Sequence, residues 1–148
     1  MNAMPNLPGG SPEAFSNSSS HPMKEGALVR KLGFLWGFLF LLGGVLGFVP
    51  AITKDEMFLG FFMVNTPHNI LHIISGTVFL IASFAGAKPA RIWFYAFGTF
   101  YASLSLIGFW EGDKPIFNLI SNNRIDSWGH GFLALVLLAI GFLNRDRH

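Results

Sequence analysis

Residues 32–50 read LGFLWGFLFLLGGVLGFVP, nineteen residues without a charged side chain. That is close to the roughly 20 apolar residues a helix needs to cross the hydrocarbon layer. Three more stretches of the same kind follow. Residues 67–86 read PHNILHIISGTVFLIASFAG, residues 92–110 read IWFYAFGTFYASLSLIGFW, and residues 127–143 read SWGHGFLALVLLAIGFL. The last is the shortest and draws a turn from the residues before it. In lipid every backbone polar group must be satisfied internally, which leaves helices or a closed barrel. A barrel needs many more short, alternating segments. The expectation is an all-α, four-helix transmembrane bundle.

Composition agrees. The 148-residue chain is 51% hydrophobic and only 12% charged, where soluble domains carry about 25%. It holds 17 Phe and 17 Gly, and small residues are common where helices meet in lipid. There is no Cys, which removes disulfides, thiolate chemistry and Cys-ligated metal centres. The net charge of +2 comes from scattered basic residues, with no stripe to follow a phosphate backbone, so no nucleic-acid role is expected. Residues 1–27, rich in Ser, Pro and Asn, read as a flexible tail rather than a secretion signal, and residues 28–148 as the membrane domain. No Lys, Arg, Asp or Glu lies in the central part of any span, which argues against a proton pump or voltage sensor.

The charges also set an orientation. Lys24, Arg30, Lys31, Lys88, Arg91, Arg145 and Arg147 fall on one side of the membrane. Lys54, Lys114 and Arg124 fall on the other, diluted by Asp55, Glu56, Glu111, Asp113 and Asp126. The positive-inside rule puts both termini in the cytoplasm and loops 51–66 and 111–126 on the opposite side. Spans two and three are joined by little more than AKPAR, residues 87–91, and so form a tight hairpin.

The chain repeats itself weakly. Each half has a span, an acidic loop, an Asn-bearing turn and a helix carrying histidine. An offset of 58 residues matches Asn65 with Asn123 and His72 with His130. Two spans per unit make the repeat parallel, with a pseudo-two-fold axis along the membrane normal. The bundle is therefore expected to be built of two weakly repeated helix pairs.

The segment Asn65 to His72, N-T-P-H-N-I-L-H, follows a span ending in Gly47-Phe48-Val49-Pro50. In this it resembles the bacterial four-helix membrane proteins of the DUF4383 family, a family of unknown function. The second half is similar, with Asn123, Asp126, Trp128 and His130, although Ser127 stands where the resemblance leads one to expect Asn. The resemblance covers residues 28–145 and implies a membrane fold in a bacterial cytoplasmic (inner) membrane or a specialised internal membrane. It implies no activity.

The residues with chemistry to offer lie at the starts of spans two and four. Thr66 is placed to cap the second helix, with Pro67 at its first position; Asn65 takes the cap if the start shifts by one. Asn69, Asn123 and Asp126 are the other candidate caps. His68 and His72 are four apart and share a helix face, a spacing that can chelate a metal once His130 joins from across the bundle. His72 and His130 can also serve as axial ligands of haem or another tetrapyrrole. The plain alternative is that these side chains only fix helix register.

Glycines 33, 37 and 44 mark one face of span one, and Gly43 with Gly47 a second small-x-x-x-small pair. Both suit close helix packing, within the bundle or against a protein partner or second copy. Trp93, Trp110 and Trp128 sit where an interfacial belt needs them. The hydroxyls of Ser75, Thr77, Ser83, Thr99, Tyr101, Ser103 and Ser105 either line a mild polar path or bond back to helix carbonyls. The leading functional expectation is a noncatalytic structural or accessory subunit of a membrane complex, with no catalytic residues and no cofactor. A haem- or metal-binding protein and a small transporter or channel subunit are the alternatives.

Overall fold

In the computed structural model, residues 21–144 are described, and they form four helices. These are α1 (His21–Leu46), α2 (Thr66–Ala85), α3 (Ala87–Glu111) and α4 (Arg124–Leu143). Each is long and apolar enough to cross a membrane, the pattern of an integral membrane protein. Large apolar side chains point outward along all four, among them Phe38, Ile81, Phe84, Leu106 and Leu135. In water such a surface would be costly; in lipid it is the solvated face.

The helix boundaries differ from the expected spans in informative ways. α1 begins at His21, so the last part of the predicted tail is helical, and it ends at Leu46 rather than Pro50. Pro22 is tolerated in a first turn, and Lys24, Glu25, Ala27 and Leu28 are good helix formers. Residues 1–20 of the expected tail, and the basic pair Arg145 and Arg147, lie outside the described residues. The expected linker AKPAR is not a loop but the first turn of α3. Gly86 alone separates α2 from α3, with a φ of 138° that only glycine adopts readily. Likewise α4 starts at Arg124, gaining the turn that its short apolar run lacked.

The loop between α1 and α2 holds a three-stranded antiparallel sheet: β1 (Thr53–Lys54), β2 (Met57–Phe58) and β3 (Phe62–Met63). Asp55 and Glu56 turn between β1 and β2 with φ of 50° and 62°, as a two-residue hairpin turn requires. Across the bundle the matching loop makes only a single bridge, Ile116 to Ile120.

Packing follows the two-hairpin plan. α1 lies along α2 and α3 along α4; α3 also touches α1 and α2, whereas α1 and α4 hardly meet. Phe40, Phe79, Phe94, Tyr101, Leu104 and Leu137 form the shared core. Phe40 stacks on Tyr101 with ring centroids 5.4 Å apart.

The repeat is visible atom by atom. Asn65 Nδ2 donates to Leu119 O at 2.9 Å, and its counterpart Asn123 Nδ2 donates to Phe61 O at 2.9 Å. Arg30 Nε donates to Ser83 O near the end of α2, and Arg91 to Asn144 O at the end of α4, both at 3.0 Å. A cation there complements the helix dipole. Gly37 lets Leu80 in close, and Gly98 does the same for Leu138. α2 and α4 match at an offset of 58, while α1 and α3 match at 61, because the loop between α3 and α4 is three residues shorter than the one between α1 and α2.

Candidate metal centre

The two loops and the starts of α2 and α4 close one end of the bundle. Asn65, not Thr66, is the cap of α2: its side chain accepts from His68 N at 3.0 Å, which leaves Thr66 and Pro67 as the first two helical residues. Asn123 caps α4 by accepting from Asp126 N at 2.8 Å, and Asp126 returns the bond to Asn123 N at 2.9 Å. This capping box satisfies two orphan donors at once. The same Asp126 oxygen accepts from Met63 N at 3.0 Å and so fastens β3 to α4. Asn69 is not a cap. Its side chain lies over Gly47, which has no Cβ to block it.

Its counterpart Ser127 explains the departure from the expected Asn. There the amide is supplied by the preceding segment: Asn122 Nδ2 donates to Gly112 O at 2.8 Å and its Oδ1 sits over Gly108. A shorter side chain is needed beside it, and Ser127 Oγ lies 3.2 Å from Asn122 Oδ1. Asn122, fully buried, is a residue that sequence reading passed over, because no motif surrounds it.

Between these caps the three histidines come together. His68 and His130 are buried and His72 half-buried. One ring nitrogen from each lies within 4.8 Å of the others. The rings touch, with centroids 5.0 Å apart for His68 and His72 and 5.8 Å for His68 and His130. His68 Nδ1 lies 3.1 Å from Ser121 O. A carbonyl can only accept, so in the neutral ring Nδ1 carries the proton and the lone pair is on Nε2. An outer hydrogen bond of this type orients a metal-ligating imidazole.

The other two rings are less well served. His72 Nε2 and His130 Nδ1 are buried and have no hydrogen-bond partner among the described residues. Among the described residues His72 bonds to none of the neighbouring polar side chains Asn69, Asn123 and Asp126. An unpaired buried polar atom costs about 1–3 kcal/mol, and this cluster holds two. Asp126 is committed to the cap and β3.

A cavity of about 380 Å³ opens beside the histidines. Phe58, Phe62 and Val64 roof it from the sheet, and Trp36 with Gly43 on α1 faces Gly129 and Leu133 on α4. Asp126 is part of its wall. The volume lies within the range of small-ligand sites. Trp36 is therefore a cleft residue at mid-span, unlike Trp110 and Trp128, which are 88% and 68% exposed near the end closed by the two loops.

Over residues 30–143 the chain matches the family model described as Domain of unknown function (DUF4383). The chain belongs to the DUF4383 family. No curated protein and no solved structure matches it. The DUF4383 match runs from Arg30, the residue that caps α2, to the last residue of α4 and so takes in both halves of the repeat and all three histidines.

The remaining site candidates have ordinary duties. Gly33, Gly37, Gly44 and Gly47 all face α2, meeting Ser83, Leu80, Ile73 and Asn69. Gly43 alone turns to the cavity, where a Cβ would lie 3.7 Å from His72 Nδ1. The hydroxyls of Ser75, Thr77, Ser83 and Ser103 donate to carbonyls of their own helices, and Ser105 to Ser127 O. Their protons are therefore used within the bundle.

Proposed function

We propose that the protein holds one first-row transition-metal ion at His68, His72 and His130, at the outer-loop end of the bundle. Two observations support this reading: one ring nitrogen from each of the three histidines lies within 4.8 Å of the others, and the cluster holds two buried ring nitrogens without a partner among the described residues, His72 Nε2 and His130 Nδ1. A bound cation would give each nitrogen the partner it lacks. Neutral imidazoles suit zinc, copper, iron or nickel. Three protein ligands leave a fourth position open, here toward the cavity. The nearby Asp126 carboxylate supplies a countercharge in an otherwise apolar wall.

An ion is favoured over a tetrapyrrole. The His68 ring packs against both of the others, with centroids 5.0 and 5.8 Å away, and this crowding favours an ion over a macrocycle held between His72 and His130. We assign ion binding and no chemical step, which is consistent with a noncatalytic accessory role in a larger membrane complex. The ion would then also tie the α2 start to the α4 start. Protein partners or a second copy belong to this proposal as well, but the α1 glycines that face α2 give them no support. The charge bias further supports both termini in the cytoplasm of a bacterial inner membrane, with the site on the far side.

The test is cobalt titration of the chelator-stripped protein in mild detergent. One equivalent of Co²⁺ should give the visible bands of a low-coordinate nitrogen site, displaced by Zn²⁺. His72→Ala and His130→Ala should each weaken binding about 100-fold, the upper end of what even outer-shell changes cost. Titration without visible bands, or bands unchanged in both variants, would overturn the reading.

A further inference from the structure

The cleft beside the histidines breaks the repeat, and the break is specific. By pseudo-symmetry the seam between α2 and α3 should recur between α4 and α1. The first seam is packed and the second hardly makes contact. Gly43 on α1 corresponds to Leu104 on α3, which is buried in the core. Gly129 on α4 corresponds to Leu71 on α2, which packs against that core. Two leucines pack into the core at these positions of one pair, and two glycines line the cavity at the matching positions of the other. Helix packing does not explain the glycine at 43, because a Cβ there would meet only the His72 ring at ordinary contact distance.

The place where the cleft opens fixes what can enter. A second cavity of about 180 Å³ shares Trp36, Gly43, His72 and Leu133 with the first and continues it along α1 past Leu39 and Phe40. Trp36 and Leu39 lie in the middle of the α1 span, and Leu39 and Phe132 on the two rims are exposed to the surroundings. At that depth the surroundings are acyl chains. Toward the outer loops, Phe58 and Phe62 form a lid over the cleft. The walls are apolar, and polar atoms gather only at the histidine end.

We infer that this cleft admits a lipid-phase molecule sideways between α1 and α4, an apolar tail lying along Trp36 and Leu133 with a carboxylate-type oxygen head reaching the histidines. The inference rests on the metal reading for the head and on the open seam for the tail. If Nε2 of His72 ligates the ion, its Nδ1–H is left on the Gly43 side, where it can donate to the head group. The open coordination position takes an oxygen of the same group.

The experiment uses the full chain in phosphatidylcholine–phosphatidylglycerol vesicles loaded with Zn²⁺ and a photoreactive palmitate carrying a diazirine. Peptide mapping after photolysis should place label on inward cleft positions, Gly43, His72 and Leu133, as well as on outward positions such as Leu42 and Val45. Gly43→Leu should remove the inward label and spare the outward label. The methyl ester of the same probe should give about tenfold less inward label, the weight of one charge-assisted contact. Label confined to outward positions, or inward label indifferent to Gly43→Leu, would overturn the open seam. Equal labelling by acid and ester would overturn head recognition. Failure of cobalt to bind in the separate titration sinks the metal reading without deciding the tail, which the Gly43→Leu comparison decides by itself.

Discussion

The seam between α2 and α3 and the seam between α4 and α1 come from the same repeat and have opposite outcomes. One is tied by Gly86 and has Leu71 and Leu104 packed into the core on its two helices. The other is left open by Gly43 and Gly129. Everything that holds the hairpins together is kept alike in the two halves: the Asn caps, the reciprocal Asn65 and Asn123 amide bonds, and the arginines at the helix ends. The surroundings of the histidines depart from the repeat, as do the outer parts of the two loops, with a three-stranded sheet in one and a single bridge in the other. His68 itself stands where the other half has Asp126, and each reaches across to the opposite loop, His68 to Ser121 and Asp126 to Met63. The repeated scaffold thus keeps its fasteners alike while the histidine site is built from only one arrangement of its two halves.

The largest effect expected from this comparison is on the filled seam. Leu104→Ala should destabilise the bundle by about 2 kcal/mol, the low end for a buried leucine, because the unfolded reference in lipid does not expose the side chain to water. Unfolding by dodecyl sulfate in mixed micelles measures it. A negligible change would mean that the α2–α3 seam is not a packed contact and that the contrast with α4–α1 is empty.

The fasteners should respond as a pair. Asn65→Ala and Asn123→Ala each remove a helix cap, which costs about 1 kcal/mol. Each also removes a bond to the opposite loop. Their effects should agree closely, and the double variant should lose less than the sum if the two loops hold each other. Amide exchange at Leu119 and Phe61 follows the loops directly. A large inequality would show that only one half carries the closure.

The four spans could be read from sequence because length and the absence of charge decide them in lipid. The repeat could be read too, since Asn65, His72, Asn123 and His130 keep their spacing. Helix ends were less legible: AKPAR contains Pro89, yet proline is accommodated in a first turn, so a breaker signal marked a beginning. The small sheet was invisible because its strands are two residues long and its turns use Asp55, Glu56 and Leu59 at positive φ where glycine would have announced them. For the site, the pairing of His68 with His72 followed from helical spacing. The approach of His130 depended on the symmetry axis, and the missing partners of His72 and His130 depended on Asp126 being taken up by the cap and β3 and on Asn69 lying over Gly47. No local pattern encodes that.

Neighbouring glycines provide the smallest and sharpest test. Gly44 faces α2, and a Cβ there would come 2.8 Å from Asn69 O and 2.7 Å from Ile73 Cγ1. Backbone on one side leaves little room to yield, so Gly44→Ala should push α1 off α2 and destabilise the hairpin by at least about 1 kcal/mol. Gly43 is one residue away and faces the cleft. Its Cβ would sit at an ordinary 3.7 Å from His72 Nδ1, and alanine is favoured over glycine inside a helix by about 1 kcal/mol. Gly43→Ala should therefore be neutral or slightly stabilising in the same unfolding assay. Opposite signs at adjacent positions follow only if one glycine serves packing and the other keeps a space open. Equal losses at 43 and 44 would mean that α4 closes on α1 and that the two seams are alike after all.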